Sequence, residues 1–171
     1  MPLVWTFETH EERSRYLRDL FSWTYIKDVL ERNKIKKDEE VMEILLNLLA
    51  SAVGSLTNPT KLSNTFHSER HIEISSGTID SYIGFFMDAY LIQKVERYDV
   101  KGRKYISTPV KYYYSDPGLR NARLGFRQIE ETHLMENVLY NDLIRRGYDV
   151  DVGVVVQNAV DRDGKKVRKQ L

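Results

Sequence analysis

Six cations, Lys94, Arg97, Lys101, Arg103, Lys104 and Lys111, stand against only Glu96 and Asp99 between Gln93 and Tyr114. Cations spaced along such a segment are the candidates for any contact with DNA phosphates, which fix position without reading sequence. The same charges on a hairpin also do the ordinary work of keeping an edge strand solvated and unpaired. The run at 78–90 just upstream would have to read bases, yet it has no Lys or Arg and carries Asp80 and Asp88. Arg, Lys, Asn and Gln are the usual base readers, so docking on protein is favoured over reading a DNA sequence.

Other side chains offer less. Tyr112, Tyr113 and Tyr114, with Tyr98 and Tyr105, present rings on which bases could stack. Strand alternation puts Tyr112 and Tyr114 on one face and Tyr113 on the other, so two of the three are expected to cover helices. Among His10, His67, His71 and His133, the 67/71 pair has the spacing that shares a helix face. Only Glu69 and Glu73 stand nearby as further zinc ligands, and a helix-end pair is the better reading. Cys is absent, which excludes thiolate catalysis and Cys-ligated metal from this sequence. Nothing resembles a nucleophile elbow.

The elements that must position these residues follow from pattern. With 171 residues, 42 % hydrophobic and 30 % charged, and 9 Gly and 4 Pro, the chain has a globular composition. Its net charge of +1 gives no global field, so any nucleic-acid site has to be local. Thr9 and Glu12 form a capping-box pattern that opens an amphipathic helix over about 9–33, with a break expected near Ser22. Asp38 caps a second helix that Gly54 ends, with Val41, Ile44, Leu45, Leu48, Leu49 and Ala52 on its apolar face. Asn58-Pro59 starts a short helix, and the next runs through Ile79, Tyr82, Ile83 and Phe86. After Leu91 the period changes from 3.6 to 2, giving two strands joined by a turn at 99–102. A hairpin behind a helix-turn-helix is the wing of a winged helix. Asp116-Pro117-Gly118 is a strong break and marks a boundary, with a short helix or turn expected over LRNARLGF after it. Beyond it the spacing predicts a helix over 130–146, a strand over 148–156 with Asp149 and Asp151 outward, a turn at 161–164 and a final strand. An unpaired edge at Leu171 leads to the expectation that the natural chain continues. Neither a secretory signal nor a membrane-spanning run is visible, and the expected location is cytoplasmic, with no membrane partner.

The order of these motifs resembles something specific. TIDSYIGFFMDAYLI, then KYYYSDPGLRNA, then MENVLYNDLIRRGY, within a similarity covering essentially the whole chain, are similar to the C-terminal half of a bacterial and archaeal family of AAA+-like ATPases. The resemblance implies an upstream nucleotide-binding domain, a winged helix and a final restriction-endonuclease-like segment. It makes Met1 an internal position and implies ATP and Mg only for the missing N-terminal domain. This sequence has no phosphate-binding G-x-x-x-x-G-K-[ST], and no cofactor is expected within it. Glu136 in MENVLY matches the family's helix carboxylate. It is the one weak catalytic candidate, since a divalent-metal nuclease needs several hard oxygen ligands. The plain reading of Glu136 is a residue of a helix docked on a strand.

The expected fold class is therefore α+β: a winged helix-turn-helix with extra N-terminal helices over 1–116, followed by a partial endonuclease-like α/β segment over 117–171. The helix-turn-helix is placed at about 58–91 and the wing at about 92–114. The expected role is a non-catalytic C-terminal accessory region of an AAA+-like ATPase, docking on its own ATPase domain or another protein, with the wing as the route to DNA. The alternatives are a free-standing DNA-binding winged-helix regulator and a fragment of a divalent-metal nuclease.

Overall fold

A computed structural model describes residues 2–35, 38–127, 131–160 and 166–170. Its class is α+β, with helices packed around a small three-stranded mixed sheet. A short 3-10 turn (Pro2–Thr6) precedes α1 (His10–Asp19). The predicted capping box is present: Glu12 N donates to Thr9 Oγ1 (3.2 Å), and Thr9 N donates back to Glu12 Oε2 (3.1 Å). A π-helical stretch, Leu20–Ile26, spans the expected break at Ser22 and separates α1 from α2 (Lys27–Arg32). The side chain of Trp23, read from sequence as an exposed seam, lies outside the described residues. Its companion Phe85 is half-buried against the core.

Helix α3 (Glu39–Ser51) is the central post, and its Met42, Leu45, Leu46 and Leu49 are at most 1 % exposed. Its neighbours are α4 (Pro59–Thr65), N-capped by Asn58 with Pro59 in the first turn, and α5 (Ser76–Asp88), N-capped by Ser75. A π-helical turn, Phe66–Arg70, and a left-handed His71 join α4 to α5. Strands β1 (Ile92–Asp99) and β2 (Lys104–Tyr114) form the predicted antiparallel hairpin, from Ile92 opposite Tyr114 to Asp99 opposite Lys104. The register slips beyond Val95. There Val110 leaves the ladder to bridge Thr57, in the segment between α3 and α4.

Past Asp116 the chain does not leave this body. Helix α6 (Pro117–Arg123), capped by Asp116, packs on α1 and α3, and α7 (Glu131–Arg145) packs on α6 and β2. Strand β3 (Val152–Val154) then joins the same sheet, parallel to β1, in the order β2-β1-β3. The segment expected to be one strand over 148–156 is thus shorter: residues 148–151 are not strand, and Asp151 accepts from the Tyr105 hydroxyl (3.0 Å). Strands β4 (Val156–Val160) and β5 (Lys166–Gln170) pair antiparallel in a separate two-stranded sheet; their turn lies outside the described residues. Among the described residues no helix is long and apolar enough to cross a membrane.

Candidate functional site

The hairpin sorts its six candidate cations by geometry. Asp99 holds the tip, its Oδ1 accepting from the amides of Lys101 (3.1 Å) and Gly102 (2.9 Å). A Cβ at Gly102 would stand 2.5 Å from Asp99 Oδ2, which explains glycine there. This turn leaves Lys101, Arg103 and Lys104 exposed together at the tip. Lys94 lies along the strand, 3.4 Å from Glu96.

The other two cations are not available to a phosphate. Arg97 is 6 % exposed, covered where β3 joins β1, and its Nε has no hydrogen-bond partner. Lys111 donates to Glu136 Oε1 at 2.6 Å. Sequence pattern placed both on a solvated hairpin; the parallel strand and helix α7, contributed from far along the chain, cover them.

Glu136 is the second predicted site residue, and it sits at the junction of α7 with β2. Its Oε1 accepts from Lys111 Nζ and from the Tyr113 hydroxyl (2.5 Å). Burial would raise its carboxyl, but the hydrogen bonds from Lys111 and Tyr113 and the charge of Lys111 outweigh that and hold it below the ordinary carboxylate range. Beside it, buried Asn137 clasps β2: Tyr114 N donates to Asn137 Oδ1 (3.0 Å), and Asn137 Nδ2 donates to Tyr114 O (2.8 Å). This two-way bond satisfies a buried backbone pair much as another strand would. Asn141 Nδ2 adds a donation to Tyr114 O (2.9 Å). The MENVLYN stretch is therefore a docking strip, and its carboxylate is occupied in holding helix to sheet.

The tyrosine expectation needs correction. Tyr112, Tyr113 and Tyr114 are all buried, at 3 %, 3 % and 0 % exposure. Alternation places Tyr113 on the outer face, but α7 covers that face, and Tyr113 stacks on Tyr140 with centroids 4.4 Å apart. Burial pushes Tyr112 up to about 12 and raises Tyr113 and Tyr114 further. None of the three is a stacking platform. Tyr105 remains exposed, edge-on to Tyr98 and bonded to Asp151.

Helix α5, the element that would enter a groove, turns Ile79, Tyr82, Ile83 and Phe86 inward and exposes Gly77, Asp80, Ser81 and Asp88. Its outward face is acidic. The histidine pair is not a metal centre: His67 Nδ1 bonds Glu73 Oε1 (2.5 Å), and His71 sits beyond the helix end. Among the described residues no three His, Cys, Asp or Glu side chains are grouped to hold a metal ion.

Sequence reasoning missed the arginines of α6. Arg120 is fully buried and its Nε donates to Ala50 O (3.0 Å) in the last turn of α3, where orphan carbonyls and the helix dipole favour a cation. Arg123 donates to Asn47 Oδ1 (3.0 Å) and Glu43 Oε2 (2.5 Å) and lies over the Phe21 ring. A helix this short with both arginines on the side facing α3 is the signal, and it shows only once Asp116-Pro117 is read as a helix start rather than a boundary.

A family profile described as "Domain of unknown function (DUF8612)" matches residues 1–130. An uncharacterised protein of Haemophilus influenzae is 35 % identical over 155 residues, covering 91 % of this chain and 38 % of the relative. An uncharacterised protein of Methanocaldococcus jannaschii is 28 % identical over 147 residues, 86 % of this chain and 32 % of the relative. The chain thus spans about a third to two-fifths of the length of these relatives. No solved structure matches.

Proposed function

The chain belongs to the DUF8612 family, and from that premise we propose that it is a non-catalytic docking module, a winged-helix-like accessory region of a longer protein. The observation that carries this reading is the outward face of α5, which exposes Asp80 and Asp88 and no cation. A carboxylate pair facing phosphates repels them, while it complements a basic protein surface. The winged-helix part rests on element order: α3, the Thr57 bridge to β2, α4, α5 and the β1–β2 hairpin. The accessory part rests on the relatives, most of whose length lies outside the match. On the sequence resemblance to AAA+-like ATPases, the remainder is proposed to be an ATPase domain, with ATP and Mg implied only there.

A second reading has its own support: Lys101, Arg103 and Lys104, exposed together at the hairpin tip, make a local contact for nucleic-acid phosphates. The nuclease alternative is disfavoured, because Glu136 is held by Lys111 and Tyr113. Fluorescence anisotropy with a labelled random duplex at low and moderate salt separates the readings. A docking module alone gives no binding above background even at low salt, whereas binding that weakens steeply with salt and disappears in the Lys101→Ala, Arg103→Ala, Lys104→Ala triple variant supports the tip contact. Saturable binding that survives moderate salt would refute it in favour of a DNA-binding regulator.

A further inference from the structure

Helix α7 uses one side to clasp the hairpin, Glu136 and Asn137 bonding β2 and Tyr140 donating to Gln93 of β1, and leaves another side without cover. Met135, Val138 and Leu139 are 69 %, 51 % and 58 % exposed within little more than one turn. Single exposed apolar residues need no explanation, but three contiguous large ones mark a contact surface. With Leu134 and Pro117 they line a groove of about 630 Å³ between α7 and the turn at 115–117.

The charges at the two ends of this strip say what fits it. Glu131, Met135, Val138, Asp142 and Arg145 recur every three or four residues and share one face of the helix. Asp142 is paired with Arg146 (2.7 Å), while Glu131 and Arg145 have no ion-pair partner among the described residues. They stand two turns to either side of Val138 and carry opposite charge. We propose that α7 is a self-association face, on which a second copy of this chain packs antiparallel about a two-fold axis beside Val138. That axis sets each copy's Glu131 against its partner's Arg145, two pairs in all, whereas a parallel pairing would set like against like. It also opposes the two helix dipoles favourably, and an isologous contact of this kind closes after two copies. The contact is one helix of 15 residues on each side, short of the roughly 800 Å² per partner of a standard interface. The dimer is therefore weak and concentration-dependent. It uses a face separate from α5 and does not depend on the docking reading above.

Sedimentation velocity of the chain across a concentration series, at low salt, tests this. A reversible monomer–dimer equilibrium is expected, with association weakened about tenfold or more by Val138→Arg. Glu131→Arg and Arg145→Glu should each weaken it several-fold, and the double variant should return it to near the parent value. Val138 is exposed, so the circular dichroism melt of Val138→Arg should be unchanged, while the charge swaps at the two ends of α7 should lower it only slightly, by opposing the helix dipole. A monomer at every concentration, a dimer indifferent to Val138→Arg, or charge swaps without mutual rescue would each overturn the proposal.

Discussion

At the scale of single residues, the same side chain changes meaning with its partners. Glu136 is legible in sequence as a helix carboxylate, and its identity alone fits a metal ligand as well as a strut. Its hydrogen bonds from Lys111 and Tyr113 decide for the strut. They also set a pH dependence. Because the folded state holds this carboxyl below its ordinary value of 4.5, its contribution is fully present above that value and is lost as pH falls through the depressed one. Urea denaturation followed from pH 6 down to pH 3 should show stability falling on the acid side. Glu136→Gln should flatten that limb while lowering stability at neutral pH. An unchanged acid limb in the variant would mean that other carboxylates carry it. Arg120 shows the reverse case, a cation that composition counts as surface and that the fold places at 0 % exposure on the end of α3.

At the scale of elements, caps and periods were readable because they are written in neighbouring residues. The Thr9–Glu12 box and Asn58 cap their helices as their residue types allow, whereas Asp38, expected to cap α3, makes no side-chain capping bond and instead accepts from the Tyr82 hydroxyl. What sequence could not show is how two elements limit each other. Gly54, expected only to end α3, has φ +74, and a Cβ there would lie 2.8 Å from Glu136 Oε2 and 2.9 Å from His133 Nδ1. The glycine is thus needed twice, for its left-handed backbone and for the approach of α7. Gly54→Ala should cost about 1–3 kcal/mol from strain and crowding together. Denaturant melts of Gly54→Ala, Glu136→Ala and the double variant should be non-additive. In the Glu136→Ala background the glycine substitution should cost less, since the pinned carboxylate that crowds it is gone. Full additivity would show that the backbone alone sets the cost.

At the scale of the whole molecule, the expected boundary at Asp116 meets a continuous body: α6 ties α1 to α3, α7 seals β2, and β3 extends the hairpin's sheet. The buried tyrosines make this continuity measurable. Tyr82 and Tyr112 are pushed up to about 12, mainly by burial, with Tyr113 and Tyr114 higher still. A phenol raised in the folded state contributes stability that is whole below about pH 10 and lost as pH climbs through the raised values. Phenolate absorbance should therefore rise in two stages, exposed tyrosines near pH 10 and the buried set only with cooperative loss of circular dichroism. If all 11 tyrosines titrated together near pH 10 in a still-folded chain, the packing of α7 on β2 would be refuted.

The sequence by itself determined the α+β class, the starts of α1, α3 and α4, the change to a hairpin after Leu91 and the acidic residues of α5's outward face. Those features depend on hydrogen bonds and side-chain periods spanning a few residues, so they survive without a tertiary context. Tertiary structure alone decided which cations stay exposed, that all three consecutive tyrosines are covered, and that Glu136 is a strut. Each of those outcomes turns on groups that meet across 20 or more positions of chain, such as Tyr113 with Glu136 or Arg120 with Ala50. No local pattern encodes such a meeting, because burial and pairing belong to the packed pair and to neither residue alone.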